Sequence, residues 1–204
     1  MSNYKTEQEE FWAGSFGDDY IARNNSASLL MSKVALWSRM LRSANKIDSV
    51  FELGCNIGLN LVALRRLNPK IEVGGVEINE AAAAQARENT KGHIVRGSIV
   101  DELTCDTADL TFTAGVLIHI NPEALPNVYA NLYNKSRRYV LVAEYYNPSP
   151  VAIPYRGHDD RLFKRDFAGE LMDEFKMKLV DYGFTYKRDN WAPQDDITWF
   201  LLEK

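Results

Sequence analysis

Glu52-Leu53-Gly54-Cys55-Asn56-Ile57-Gly58 decides how the rest of the chain is read. A short apolar run, Val50-Phe51-Glu52-Leu53, ends at the first glycine. A helical pattern from Leu59 to Leu67 starts just after the last. In an open α/β sheet a ligand binds at the carboxyl end of a strand, where glycines let it approach the backbone. The spacing here is E-x-G-x-x-x-G. It is neither the G-x-G-x-x-G of a dinucleotide loop nor the G-x-x-x-x-G-K-[ST] of a phosphate loop, since no lysine follows. Nicotinamide-dinucleotide and ATP chemistry both lose ground.

Beyond this loop, strand and helix patterns alternate. A strand over Ile71–Ile78 precedes an alanine-rich helix over Glu80–Glu88, and Ile94-Val95 reads as a brief strand. Another strand, Ala108–Ala114, precedes a helix over Pro122–Asn134, with proline suited to its first turn. Arg138–Tyr145 reads as a fifth strand. This rhythm predicts right-handed βαβ units and a mainly parallel sheet. Beyond a loop at Asn147–Lys164, a helix is expected over Asp166–Phe175 with Asp166 as its N-cap. Strands over Lys178–Tyr186 and Ile197–Glu203 then form an antiparallel hairpin, with Trp191, Trp199 and Phe200 expected in its core. Before the first strand, Tyr4–Ser43 is helical. Leu29, Leu30, Lys33, Val34, Trp37, Met40 and Leu41 recur at three- and four-residue steps, and Gly14 and Gly17 are expected to break this arm.

The chain has 204 residues, 46% hydrophobic and 25% charged, which excludes wholesale disorder and suffices for a sizeable core. One domain is expected over 1–204: an arm or lid (1–45), a ligand-binding core (46–146), an acceptor loop (147–165) and a C-terminal helix and hairpin (166–204). Cys55 and Cys105 form no disulfide framework, and His93, His119 and His158 show no metal-ligand spacing, so no metal is expected. The net charge of −4 argues against a nucleic-acid partner. An acidic N-terminus and the lack of a long apolar run argue against a signal peptide and a membrane span. A cytoplasmic location is expected, and oligomeric state is left open.

Glu77 lies nineteen residues after Gly58, at the end of the second strand. A carboxylate there accepts from both hydroxyls of a ribose. With Glu52 to Gly58, it resembles motifs I and II of the Rossmann-like, class I S-adenosylmethionine-dependent methyltransferases. The segments FWAGSFGDDYIARN, ELGCNIGLNL, GVLIHINPEALPNVY, AEYYNPSPVAIPYRGHDDRLFKRDFAGE and QDDITWFLLEK are similar to the methylases associated with pseudaminic acid biosynthesis. The resemblance implies a mainly parallel seven-stranded sheet with a C-terminal antiparallel hairpin, and S-adenosyl-L-methionine as cofactor. It departs at Asn56, where the common loop has glycine, and at Gly97-Ser98-Ile99, where many relatives carry Gly-Asp. Asn tolerates a left-handed backbone; the serine stands where the resemblance implies an aspartate that accepts from the adenine amino group.

The resemblance places Glu52, Gly54, Cys55, Asn56 and Gly58 at the cofactor's methionine part. Glu77 and Ile78 fall at its ribose and adenine, Ser98 and Ile99 at the adenine edge, and Gly115 beside the reactive centre. Tyr20 and Arg23, three apart on one helical face, suit its carboxylate. His119, just past the fourth strand, is the expected general base, since an imidazole takes protons near neutral pH. Tyr145, Tyr146, Tyr155, Arg156, His158 and Arg165, in a locally basic stretch after the fifth strand, are expected to bind a small anionic acceptor. The expected reaction methylates O or N of a sugar or nucleotide-sugar intermediate of nonulosonic acid biosynthesis. Two alternatives stay open: a carboxylate or phosphonate O-methyltransferase that needs no base, and a non-catalytic S-adenosylmethionine-binding protein.

Overall fold

The computed structural model describes residues 4–18, 26–154 and 162–204. Helix α1 (Glu7–Ala13) begins with a reciprocal capping box, in which Thr6 caps the backbone of Glu9 and the Glu9 carboxylate returns to the backbone of Thr6. It ends at Gly14. Gly17, expected as a second break, lies inside a further helical turn at residues 15–18. Helix α2 (Ala27–Met40) follows, capped by Ser26.

Then the alternation sets in: β1 (Ser49–Leu53), α3 (Leu59–Leu67), β2 (Glu72–Glu77), α4 (Glu80–Thr90), β3 (His93–Arg96), β4 (Ala108–Ala114), α5 (Leu125–Lys135) and β5 (Ser136–Glu144). A 3-10 turn over Pro122–Ala124 takes the place of the expected first turn of α5. The stretch after β5 carries a small antiparallel ribbon of β6 (Val151–Ala152) and β7 (Phe163–Lys164), where only a loop was expected. Asp166 caps α6 (Phe167–Phe175), as expected, accepting from the Gly169 amide at 2.8 Å. β8 (Lys178–Phe184) and β9 (Thr198–Glu203) close the chain.

Seven strands form one sheet in the order β3-β2-β1-β4-β5-β9-β8. The first five run parallel; β9 is antiparallel to both β5 and β8. Alternation along β5 shows how the faces are divided. Tyr139, Leu141 and Ala143 pack beneath α2, α3 and α4, whereas Val140 and Val142 pack beneath α5 and α6. Trp37 is sealed against Phe112, ring centroids 4.6 Å apart and edge to face. Of the expected hairpin aromatics, Trp199 is buried and Phe200 is half-buried. Trp191 is 96% exposed, because it sits in a turn where Asp189 accepts from the Trp191 and Ala192 amides. No helix among the described residues is long and apolar enough to cross a membrane.

The order of the strands fixes where a ligand can bind. The chain lays down β1, β2 and β3 in one direction, then returns to the other side of β1 with β4. Adjacent loops therefore part between β1 and β4, leaving a crevice at their carboxyl ends.

Candidate active site

A cleft of about 180 Å³ opens at that crevice. Its floor is the loop after β1. Gly54 (φ +76°), Asn56 (φ +46°) and Gly58 (φ +78°) all adopt left-handed conformations, so the loop turns sharply away from the strand. A Cβ on Gly54 would stand 2.8 Å from both methyls of Val116 in the loop after β4. The first glycine thus lets two loops close together as well as freeing backbone for a ligand. Gly58 does not line the cleft; its Cα faces the Thr90 methyl. Burial raises the Cys55 thiol pKa well above its usual range.

At the β1 end the charged groups are nearly sealed. Glu52 is 1% exposed. Its Oε1 accepts from the Asn60 amide at 2.6 Å, while Oε2 has no hydrogen-bond partner among the described residues. The Asn60 carbonyl accepts from the Lys33 ammonium at 2.9 Å and from the Trp37 indole at 3.3 Å. One amide therefore bridges a carboxylate and an ammonium, and all three side chains line the cleft. Burial pushes the Glu52 carboxyl up to about 8, against the pull of Asn60 and Lys33. Burial also lowers the Lys33 ammonium.

Glu77 ends β2 beside this group. Its two oxygens accept from the Asn56 and Asn79 amides at 2.8 Å each, so it braces the glycine loop and the entry to α4 together. Burial raises its carboxyl, and those amides hold it back. Asn79 caps α4 through the Ala82 amide and also donates to Asp18 at 2.9 Å and to the Trp12 carbonyl at 3.5 Å.

Past β3, Ser98 accepts from the Val100 amide and donates to Glu9 of α1. The segment behind it is fixed from α5, where Asn131 donates to the Ile99 and Asp101 carbonyls. Trp12, one turn beyond Glu9, lies against His119 with ring centroids 4.7 Å apart. His119 ends a 3-10 turn (Leu117–His119) whose amides are gathered by one carboxylate. Glu144 accepts from Val116 at 3.0 Å, Leu117 at 3.1 Å and Ile118 at 3.5 Å. Burial lifts its carboxyl to about 7, with these amides opposing.

The cleft thus brings together Glu52, Gly54, Cys55, Asn56, Glu77, Ile78, Ser98, Ile99, Gly115 and His119. Tyr145, Tyr146 and Arg165, expected at an acceptor, do not line it. Lys164 covers the Tyr145 ring, Tyr146 is 42% exposed beside Phe200, and Arg165 is held by Glu170 at 2.6 Å. Tyr20, Arg23, Tyr155, Arg156 and His158 lie outside the described residues. His93 is exposed on β3. Among the described residues no group of three or more His, Cys, Asp or Glu is arranged to hold a metal. Sequence reading missed Glu9, Lys33, Asn60, Asn79 and Glu144. Lys33 did leave a signal, a cation within the apolar stripe of α2.

By sequence, the chain matches no protein-family profile and no curated protein. Solved structures do match its shape. Magnesium protoporphyrin IX methyltransferase from Synechocystis PCC 6803, with bound SAH, superposes with a TM-score of 0.69 at 12% identity, covering 96% of this chain and 97% of that one. A SAM-dependent methyltransferase from Archaeoglobus fulgidus gives 0.68 at 14%, covering 93% and 100%. This is the class I methyltransferase fold. The O-methyltransferase of a trans-AT polyketide synthase from Brevibacillus brevis, in complex with S-adenosyl-L-homocysteine, gives 0.66 at 14%, covering all of this chain and 81% of that one. At these identities the likeness is one of fold.

Proposed function

We propose that the chain is an S-adenosylmethionine-dependent methyltransferase with one domain over 1–204. One observation carries this reading. Two buried carboxylates, Glu52 and Glu77, end adjacent strands on the floor of a single cleft, and the Glu52 Oε2 has no partner among the described residues. A buried carboxyl oxygen without a partner is costly, and a ligand ammonium would satisfy it while drawing the carboxyl to its ionised form. The residues therefore fit the cofactor. Glu52 would hold its amino group, Lys33 its carboxylate and Glu77 its ribose hydroxyls.

When bound, S-adenosylmethionine supplies an electrophilic methyl on a sulfonium. The chain's part is to place the acceptor in line and exclude water. His119 faces the same cleft and would take a proton from an acceptor hydroxyl or amine as the new bond forms. Glu144 orients it by gathering the amides of its turn. The acceptor is a small anionic molecule, as the basic stretch of sequence after β5 suggests, and a sugar or nucleotide-sugar intermediate linked to pseudaminic acid biosynthesis, as the sequence resemblance suggests.

Calorimetric titration with S-adenosylhomocysteine tests the cofactor site. Glu77→Gln turns an amide N–H toward backbone amides and removes a charge from the hydroxyl site. It should weaken binding by about 1–3 kcal/mol. Unchanged affinity in a folded variant overturns the assignment. Mass spectrometry of nonulosonic acid pathway intermediates incubated with labelled cofactor tests the acceptor, and no product from any of them removes that part of the reading.

A further inference from the structure

We infer that Glu9, on the N-terminal arm, is the residue that selects a 6-amino purine at the β3 end of the cleft. The inference rests on the cofactor reading above. Glu9 is 6% exposed and lines the cleft, although it belongs to a helix outside the sheet. A capping box alone uses one carboxylate oxygen and does not require burial. Here Oε2 serves the cap, accepting from the Lys5 amide at 2.7 Å and the Thr6 amide at 2.9 Å. Oε1 is turned the other way and is held by Ser98, 89 residues further along the chain. The Ser98 hydroxyl proton must point at Glu9, because a carboxylate only accepts. Glu9 forms no ion pair among the described residues; its neighbour Lys5 is paired with Asp101.

The surroundings say what this oxygen reads. Ile78, Ile99 and Val100 line the same end, which suits an apolar face of the ligand. Oε1 keeps a second lone pair, which favours an N–H donor and disfavours a carbonyl. β1, β2 and β3 are successive neighbours about 4.8 Å apart. Glu52 and Glu77 lie at the ends of β1 and β2, and Glu9 is held by Ser98 just past β3, so the three carboxylates follow one another in a row. Its far end meets the edge of a base whose ribose is at Glu77. A 6-amino group donates to Glu9, whereas a 6-oxo group would set two acceptors face to face.

Calorimetry with S-adenosylhomocysteine and its 6-oxo counterpart, S-inosylhomocysteine, tests this without knowledge of the acceptor. The wild-type chain should prefer the amino compound by about 10- to 100-fold, the usual effect of a mismatched buried polar pair. Glu9→Gln, whose amide both donates and accepts, should bring the ratio close to one. Thr6→Val, which weakens the cap and leaves the carboxylate, should keep the preference. If Glu9 only caps its helix, Glu9→Gln and Thr6→Val will weaken both compounds alike and leave the ratio intact, which overturns the inference. Wild-type protein that binds both equally overturns it while leaving the cofactor reading standing. Wild-type protein that binds neither overturns both.

Discussion

Glu52 is held as a carboxyl that resists ionisation until about pH 8, where an ordinary glutamate ionises near 4.5. The sign of the consequence follows from proton counting. Between those two values the folded chain keeps a proton that the unfolded chain has lost, so stability falls as pH rises through the interval and levels off above it. Glu144, at about 7, adds in the same sense over a narrower range. Lys33, lowered by burial, acts in the opposite sense at higher pH. Urea unfolding at pH 5.5, 7 and 8.5 should show declining stability, and Glu52→Gln should flatten that decline. A wild-type curve that is flat or rises with pH, or a variant with the same slope, would show that burial does not govern this carboxyl. At this scale the sequence was informative only where neighbours in space are also neighbours in the chain. The glycine loop and Glu77 were readable because the turn and the strand end are local. Asn60 was not, because its partners Glu52, Lys33 and Trp37 come from different elements. Glu9 drew no attention in the sequence, because its partner Ser98 lies 89 residues away and only the fold brings them together.

Asn79 shows how one residue ties elements together. Its carbonyl oxygen caps α4, and its amide nitrogen holds the arm through Asp18 and the Trp12 carbonyl. Asn79→Asp separates these duties, since aspartate caps a helix as well as asparagine does but cannot donate. Hydrogen exchange in residues 7–18 should quicken in this variant, the more so because the new charge faces Asp18, while the first turn of α4 keeps its protection. Asn79→Ala should lose both, with about 1 kcal/mol of stability removed by the missing cap. Equal exchange in the arm of Asn79→Asp and wild type would mean that α1 is held by the Glu9–Ser98 contact and its aromatic packing without Asn79. That packing is substantial: Phe11 stacks on Phe16 at 4.2 Å, and Trp12 meets Phe16 edge to face. Element limits were legible wherever apolar periodicity met a clear cap or breaker. α3 and β4 fall on the expected residues, and Asp166 caps α6. Expectations failed where residue type was taken for position. Gly17 tolerates a helical turn as readily as a break, and Trp191 is apolar yet occupies an Asp-held turn in water.

The sheet order places Glu52 and Glu77 of the proposed cofactor site on one side of the point where the chain reverses direction. β1 and β2 carry them, the segment after β3 adds Ser98, the turn after β4 brings His119, and the arm contributes Glu9 and Trp12. Alternation of strand and helix was enough to read the parallel sheet from the sequence. The position of the arm was not, because it is set by single contacts to Asn79, Ser98 and His119 that leave no periodic trace. A ligand spanning this row binds the folded chain and has no site on the unfolded one, so it stabilises by mass action. S-adenosylhomocysteine at about 100 times its dissociation constant adds about 2.7 kcal/mol. For a chain of this size that corresponds to a rise in Tm of about 5–11 °C. Methylthioadenosine, which lacks the amino-acid head, leaves Glu52 Oε2 and Lys33 unsatisfied. At the same concentration it should give a smaller rise, and the difference should vanish in Glu52→Gln with Lys33→Met. NAD and ATP should give little, since the loop has neither their glycine spacing nor a phosphate-binding lysine. Equal shifts from S-adenosylhomocysteine and methylthioadenosine in the wild-type chain would place the amino-acid head outside the cleft, and the Glu52–Asn60–Lys33 group would then be a buried strut of the fold.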